Sequence, residues 1–162
     1  MPNAYYLKLG SGSDQILGDS RDRRHMGWIK LSSFWTGNPS NPTGATGGVG
    51  TGKASFEIFV SKFTDRASTN VYMAANSGRA FKSVTIEVAD EKSGVPKLRL
   101  ILTDVILENF SVNGNGGFSS GQVETFKLNF AAAEWNHNPV AEDSVEETLQ
   151  TAFWSLGLAR AH

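Results

Sequence analysis

The chain has 162 residues, no cysteine, and 15 basic against 16 acidic side chains, for a net charge of −1. A balance so close to zero lacks the basic footprint of an electrostatic nucleic-acid binder, and the missing cysteines exclude disulfides, thiolate metal sites and a thiol nucleophile. No apolar run reaches the length of a membrane span, and the opening MPNAYYLKLGSGSD lacks the basic region and apolar core of a secretory leader. The length favours one domain over residues 1–162. A domain of this size buries roughly 70% of the surface of its unfolded chain, enough to fold without staples.

In chain order, Ala4 to Leu9 alternates Tyr5, Leu7 and Leu9 against Tyr6 and Lys8, a short strand ended by Gly10-Ser11-Gly12-Ser13. Gly18 to Trp35 follows in two halves. Gly18–Arg24 is a charged loop carrying Asp19, Arg21, Asp22, Arg23 and Arg24; from Gly27 onward WIKLSSFW is aromatic and β-branched. Period two places Ile29, Leu31, Ser33 and Trp35 on one face and Trp28, Lys30, Ser32 and Phe34 on the other. Both faces carry bulk, so cover on both sides is expected, by the domain's own core and by a partner subunit.

Gly37 to Gly52, GNPSNPTGATGGVGTG, excludes helix and strand. Irregular segments this long are uncommon within compact domains and are usually functional or disordered. Ala54–Phe63 is a strand with Ala54, Phe56, Ile58 and Val60 on one face. Asp65–Ser77 is the interior helix: Asp65 or Ser68 caps its start, Val71, Ala74 and Ala75 form its apolar stripe, and Gly78 ends it in a left-handed conformation. Val84, Ile86 and Val88 mark another strand, and Asp90–Pro96 a polar turn.

Lys97–Val112 is a long strand whose apolar phase slips past Leu102, which predicts a bulge near Asp104. After the glycine turn Asn113–Gly121, Gln122–Asn136 turns Phe126, Leu128, Phe130 and Ala132 inward and pairs with the long strand as an antiparallel hairpin. The tail has two readings. Ser144 and Glu147 at capping-box spacing, with Val145, Leu149, Ala152 and Phe153, predict a helix at 144–153 with an extended end; the alternation Trp154, Leu156, Leu158 fits a final strand equally. The whole is mainly β, a small barrel or two packed sheets with one interior helix.

The chemistry-bearing residues are sparse. Gly47-Gly48-Val49-Gly50-Thr51-Gly52-Lys53 has the glycine and Gly-Lys spacing of a phosphate-binding loop, but Ala54 stands where a magnesium-holding Ser or Thr is needed, and a strand rather than a helix follows. His25, His137 and His162 form no ligand-spaced pair, so no metal is expected. His25 beside Asp22 and Arg24 reads as a capping or interface hydrogen bond before it reads as a catalytic pair. Asp19, Asp22 and Asp104 could supply paired carboxylates for glycoside hydrolysis; their arginine neighbours favour salt-bridged loop residues. The tryptophans leave a monomeric carbohydrate-binding β-module as the alternative function.

Read together, YLKLG at 6–10, the block GDSRDRRHMGWIKLSSFW, the glycine run ending Gly52-Lys53, ASFEIFVSKF, the helix opened by Asp65-x-Ala67-Ser68, LRLILTDVILENFSV and ETFKLNFAAAEW resemble, in order and spacing, the haemolysin-coregulated protein (Hcp) family of bacterial type VI secretion. The resemblance runs from Tyr5 to about Pro139 and leaves the tail 140–162 less well matched. It implies a compact β-barrel of two packed antiparallel sheets with one α-helix on the side. It also implies a homohexameric ring with an open channel, and rings stacked into a tail tube that is assembled in the cytoplasm and expelled by the machine. Partners would be further copies of the chain, sheath and spike proteins, and effector proteins in the channel, with no catalysis, cofactor, nucleic acid or membrane insertion. On this likeness Gly44, Gly47, Gly48, Gly50 and Gly52 belong to a ring-stacking loop, Ser33 and Trp35 to the channel wall or an effector contact, and Arg24, His25 and Trp28 to a subunit interface.

Overall fold

The computed structural model describes residues 3–37, 57–113, 122–137, 150–155 and 160–161. The described elements are β1 (Asn3–Leu9), β2 (Ile29–Leu31), β3 (Ser33–Gly37), β4 (Glu57–Phe63), α1 (Ser68–Ser77), β5 (Ala80–Asp90), β6 (Pro96–Asn113), β7 (Val123–His137), β8 (Gln150–Ser155) and β9 (Arg160–Ala161). All pairings are antiparallel, in the order β2-β1-β5-β6-β7-β4-β3. The two ends of that path are consecutive in sequence. Ser32 joins β2, which pairs with β1, to β3, which pairs with β4; its amide and hydroxyl both donate to the Ser61 carbonyl, at 2.8 and 3.0 Å. The sheet thereby curls nearly shut, which removes most of the open strand edge that would invite aggregation.

Inside the curl lie Leu7, Leu9, Ile29, Ile58, Val60, Ile86, Leu100, Leu102, Phe126 and Leu128, all fully buried. Each is the inward member of an alternating strand, and each contributes about 1.5–3 kcal/mol of burial. Helix α1 closes one side through Val71 and Ala74. Its regular turns start at Ser68, later than Asp65, and Ala67 just before it makes no side-chain cap bond, but Asp65 and Ser68 both accept from free amides at the start, as expected. The Asp65 carboxylate accepts from the Ala67 amide and the Ser68 hydroxyl accepts from the Asp65 amide, both at 2.9 Å. Gly78 ends the helix with φ 69°.

Three expectations change. The face assigned to Ile29, Leu31, Ser33 and Trp35 breaks at Ser32: Ile29 and Leu31 are buried, Ser33 and Trp35 are exposed, and Phe34 instead turns inward against Tyr5. A strand that leaves one neighbour for another bends, and the bend inverts its phase.

The slip in β6 does occur between Leu102 and Val105, yet both ladders keep register across it. Asp104 makes the inversion by itself with φ 53°. The β6–β7 ladder shifts register later, between Glu108 and Ser111, beside Asn109 with φ 54°.

The helix read at 144–153 is a strand at 150–153. β8 pairs with β7 from His137↔Gln150 to Ala132↔Ser155, while 141–149 lie outside the described residues. β4 pairs with β7 from Val123 to Leu128. The backbone groups of Ala132–His137 need partners of their own, and the tail supplies them.

Candidate assembly site

The loop Gly18–Trp28 lies over the outer face of β1 and β5. It is drawn together by its own backbone: the Gly18 amide donates to the Gly27 carbonyl, Gly27 to Ser20, and Ser20 to Trp28, at 2.8 to 3.0 Å. Position 18 has to be glycine, because a Cβ there would stand 2.5 Å from the Trp28 carbonyl oxygen. Beneath the loop, Ala4, Tyr6 and Ala89 form a second small apolar cluster with Trp28 packed on it. The outer cover of β1 and β5 is therefore the chain's own loop.

At the centre of this layer stands His25, fully buried. Its Nδ1 is 2.5 Å from Asp22 Oδ2 and its Nε2 is 2.6 Å from Glu87 Oε1. The ring stacks on Tyr6 at 4.0 Å, with Trp28 edge-on at 4.9 Å. Glu87 Oε2 accepts from Arg99 Nε at 2.5 Å. The order follows from strand register, since Tyr6 faces Glu87 across β1–β5 and Glu87 faces Arg99 across β5–β6. Ionised carboxylates only accept, so both ring nitrogens donate and the ring is an imidazolium. Burial by itself opposes that charge, but the hydrogen bonds to Glu87 and Asp22, and then their charges, outweigh it and raise the His25 pKa. Burial would raise Glu87; the hydrogen bonds from His25 and Arg99 and their charges hold it below the usual carboxylate value.

A second cluster was not visible in the sequence reading. Lys62 is fully buried on the apolar side of β4. Its Nζ bonds Glu124 Oε1 at 2.7 Å, Asp65 Oδ1 at 2.8 Å and Ser68 Oγ at 3.0 Å. The Thr64 hydroxyl donates to the other Glu124 oxygen at 2.9 Å. Burial would raise the Glu124 pKa, but the hydrogen bonds from Lys62, Ser68 and Thr64 and the Lys62 charge lower it. The signal was present, since Lys62 continues the inward series Ile58, Val60, and Glu124 precedes Phe126 and Leu128 in phase.

The outer face of β3 and β4 carries a different surface. Trp35 is 51% exposed and stacks on Phe59 at 4.9 Å and 9°. Cross-strand register extends this pair into the row Trp35, Phe59, Lys127 and Glu108 over β3, β4, β7 and β6. Lys127 pairs with Glu57 at 2.8 Å, and Asn129 donates to Glu108 at 3.1 Å.

Of the residues singled out from sequence, Ser33 and Trp35 share the outer face of β3, and Arg24 is exposed on the loop. Trp28 is half-buried over Tyr6, and His25 is internal, so the ring itself has no surface for a neighbouring subunit. Gly44, Gly47, Gly48, Gly50 and Gly52 lie outside the described residues. Asp19, Asp22 and Asp104 do not converge: Asp19 accepts from the Arg66 amide, Asp22 binds His25, and Asp104 stands exposed on β6. The expected salt bridges to Arg21, Arg23 and Arg24 do not form among the described residues. The loop's acids are spent on amides and on His25, and its arginines point outward.

A family model described as type VI secretion system effector, Hcp, matches residues 6–137. The chain is 27% identical over 93 residues to protein Hcp1 of Pseudomonas aeruginosa strain PAO1, a match that spans 56% of this chain and 57% of that relative's length. Among solved structures, Hcp1 from Salmonella typhimurium superposes with a TM-score of 0.79 at 21% identity, covering 100% of both chains. A structure described as a type six secretion system protein gives 0.80 at 24% identity, covering 99% of this chain and 100% of that one. Motif order, nearly closed barrel and family match converge: the chain belongs to the Hcp family of type VI secretion.

Proposed function

We propose that this chain is a structural tail-tube subunit of a type VI secretion system, a single domain over residues 1–162 that assembles into homohexameric rings and then stacked rings. The observation that carries the reading is the family match over residues 6–137. On this reading the tube is built in the cytoplasm and expelled by the machine, with sheath, spike and effector proteins as its partners. Its part is scaffolding, and no catalytic step is assigned to it.

The surfaces divide by chemistry. The Trp35–Phe59 stack beside Ser33 offers cargo a flat aromatic contact on an otherwise polar row, and we assign it to the channel wall. Arg24 and Trp28, on the loop over β1, are assigned to the lateral contact between subunits. Gly44, Gly47, Gly48, Gly50 and Gly52 are assigned to ring stacking.

Light scattering at several protein concentrations, followed by negative-stain images of the same fraction, tests the proposal. Six-chain particles seen as open rings are expected; a concentration-independent monomer overturns it. In that case a carbohydrate-binding module would need glycan-dependent quenching of tryptophan emission. Trp35→Ala should leave rings intact and weaken effector retention, whereas Arg24→Glu should weaken the ring itself.

A further inference from the structure

We infer that Gly18–Trp28 is a latch, held shut over the outer face of the sheet by the doubly hydrogen-bonded imidazolium of His25 and released when that ring loses its proton. The inference rests on this chain's own geometry and does not depend on the tube reading.

The loop's backbone bonds close it on itself through Gly18, Ser20, His25, Gly27 and Trp28. Its side-chain ties to the barrel are few. Asp19 accepts from the Arg66 amide at 3.2 Å on an exposed edge, and His25 reaches Glu87 at 2.6 Å in the interior. The second tie holds the loop down, and it runs through one titratable ring.

The charged and titratable groups around that ring come from every element packed against it. Asp22 and Arg24 belong to the loop. Tyr6 and Lys8 belong to β1, the latter with Nζ 5.9 Å over the Trp28 ring. Glu87 lies on β5, Glu91 on the turn after it, and Arg99 on β6, bonded to Glu87. Asp22 also abuts the β5–β6 turn, where a Cβ on Gly94 would come 3.0 Å from Asp22 Oδ1.

A neutral imidazole donates from only one nitrogen. The lone pair of its other nitrogen would then face a carboxylate oxygen, either Asp22 at 2.5 Å on the part-buried side or Glu87 at 2.6 Å on the buried side. An unpaired buried acceptor of that kind is among the costlier defects a protein can carry. Moving the ring out relieves it, and a segment with mostly local bonds can open as a unit while the barrel stays folded. Opening would bare Ala4, Tyr6 and Ala89 and displace the exposed Arg21, Arg23 and Arg24. The pKa of the bridged ring is raised above the ordinary histidine value by its hydrogen bonds to Glu87 and Asp22, against the effect of burial, which extends the closed state to higher pH.

Hydrogen exchange read by mass spectrometry on the purified protein tests this, from about pH 5 to about pH 10, corrected for intrinsic exchange. In the wild type, opening of 18–28 should rise by up to roughly tenfold per pH unit from the ordinary histidine value of about 6.5 to the raised value of the closed ring and level off above it, as release of one proton requires, while β6 and β7 stay protected. His25→Gln should leave 18–28 unprotected at every pH. Protection of 18–28 that is flat in pH, or wild-type protection in His25→Gln, overturns the latch. If His25→Gln does not fold, Glu87→Gln serves: removing that carboxylate should move loop release to lower pH, and an unmoved release would equally overturn it.

Discussion

The two buried ionic clusters use one electrostatic scheme in two places. Lys62 sits between Glu124 and Asp65 inside the barrel; His25 sits between Glu87 and Asp22 outside the sheet. In each, a cross-strand partner supplies one carboxylate or orders it, through Lys62↔Glu124 and through Tyr6↔Glu87↔Arg99. Lys62 ties the start of α1 to β4 and β7, elements that enclose the core. His25 ties a self-contained loop to an otherwise finished sheet. The first cluster thus belongs to global stability and the second to local closure. Histidine, moreover, changes charge near neutrality, and lysine does not.

Substitution at Lys62 should separate the two most sharply. Lys62→Ala strands the buried Glu124 and Asp65 without their cation, and should cost about 3–5 kcal/mol in denaturant unfolding. Adding Glu124→Gln should recover part of that loss; a single-mutant loss well under that range would remove the cluster from the global fold.

The loop should yield to a backbone change next. Gly18→Ala drives a Cβ within 2.6 Å of Ile29 Cα and 2.5 Å of the Trp28 carbonyl, and the resulting overpacking should cost about 1–3 kcal/mol. Gly12→Ala is the control. It meets nothing within 4 Å and bears only its φ of 59°, so about 1 kcal/mol or less is expected. Equal losses in the two would mean that the loop is not pressed against β2.

The pH dependence then distinguishes the cations. His25, with its pKa raised, contributes fully below its ordinary value of about 6.5 and loses that contribution as pH rises through the raised folded value. Glu87 and Glu124, with theirs lowered, contribute fully above about 4.5 and lose it as pH falls through the lowered folded values. In equilibrium unfolding across pH, His25→Gln should flatten the alkaline limb and leave the Glu124 part of the acid limb. An alkaline limb that survives in His25→Gln would assign it to other groups.

The smallest effect is expected in β6. Asp104→Gly and Asn109→Gly relieve left-handed backbones of 53° and 54°. Glycine's extra unfolded-state entropy offsets the gain, leaving a net change of about 0.5 kcal/mol or less. A loss above that would show that the Asp104 or Asn109 side chain has a role of its own.

Much of the molecule was legible before any coordinates. Alternation in β1, β4, β5, β6 and β7 placed Leu7, Ile58, Ile86, Leu100 and Phe126 in the core, and Gly78 marked the end of α1, because period and left-handed glycine are local properties. Motif order from Tyr5 to about Pro139 was enough to name the family. Local periodicity also carries a single inward charge such as Lys62 within its pattern, but not the reason for it. Glu124 and Asp65 complete that site from 62 residues away and from the following turn.

Tertiary structure alone decided four things. Ser32 breaks a strand that reads as continuous, because its two halves pair with β1 and with β4. Gln150–Ser155 is extended because β7 has an edge to fill beyond β4. Asp104 inverts the face of β6 without shifting its register. His25, which read as a capping or interface hydrogen bond, is internal, because Glu87 and Tyr6 arrive beneath it from strands paired far along the chain. Each outcome depends on a backbone or carboxylate partner distant in sequence, and a pattern confined to neighbouring residues does not contain that partner.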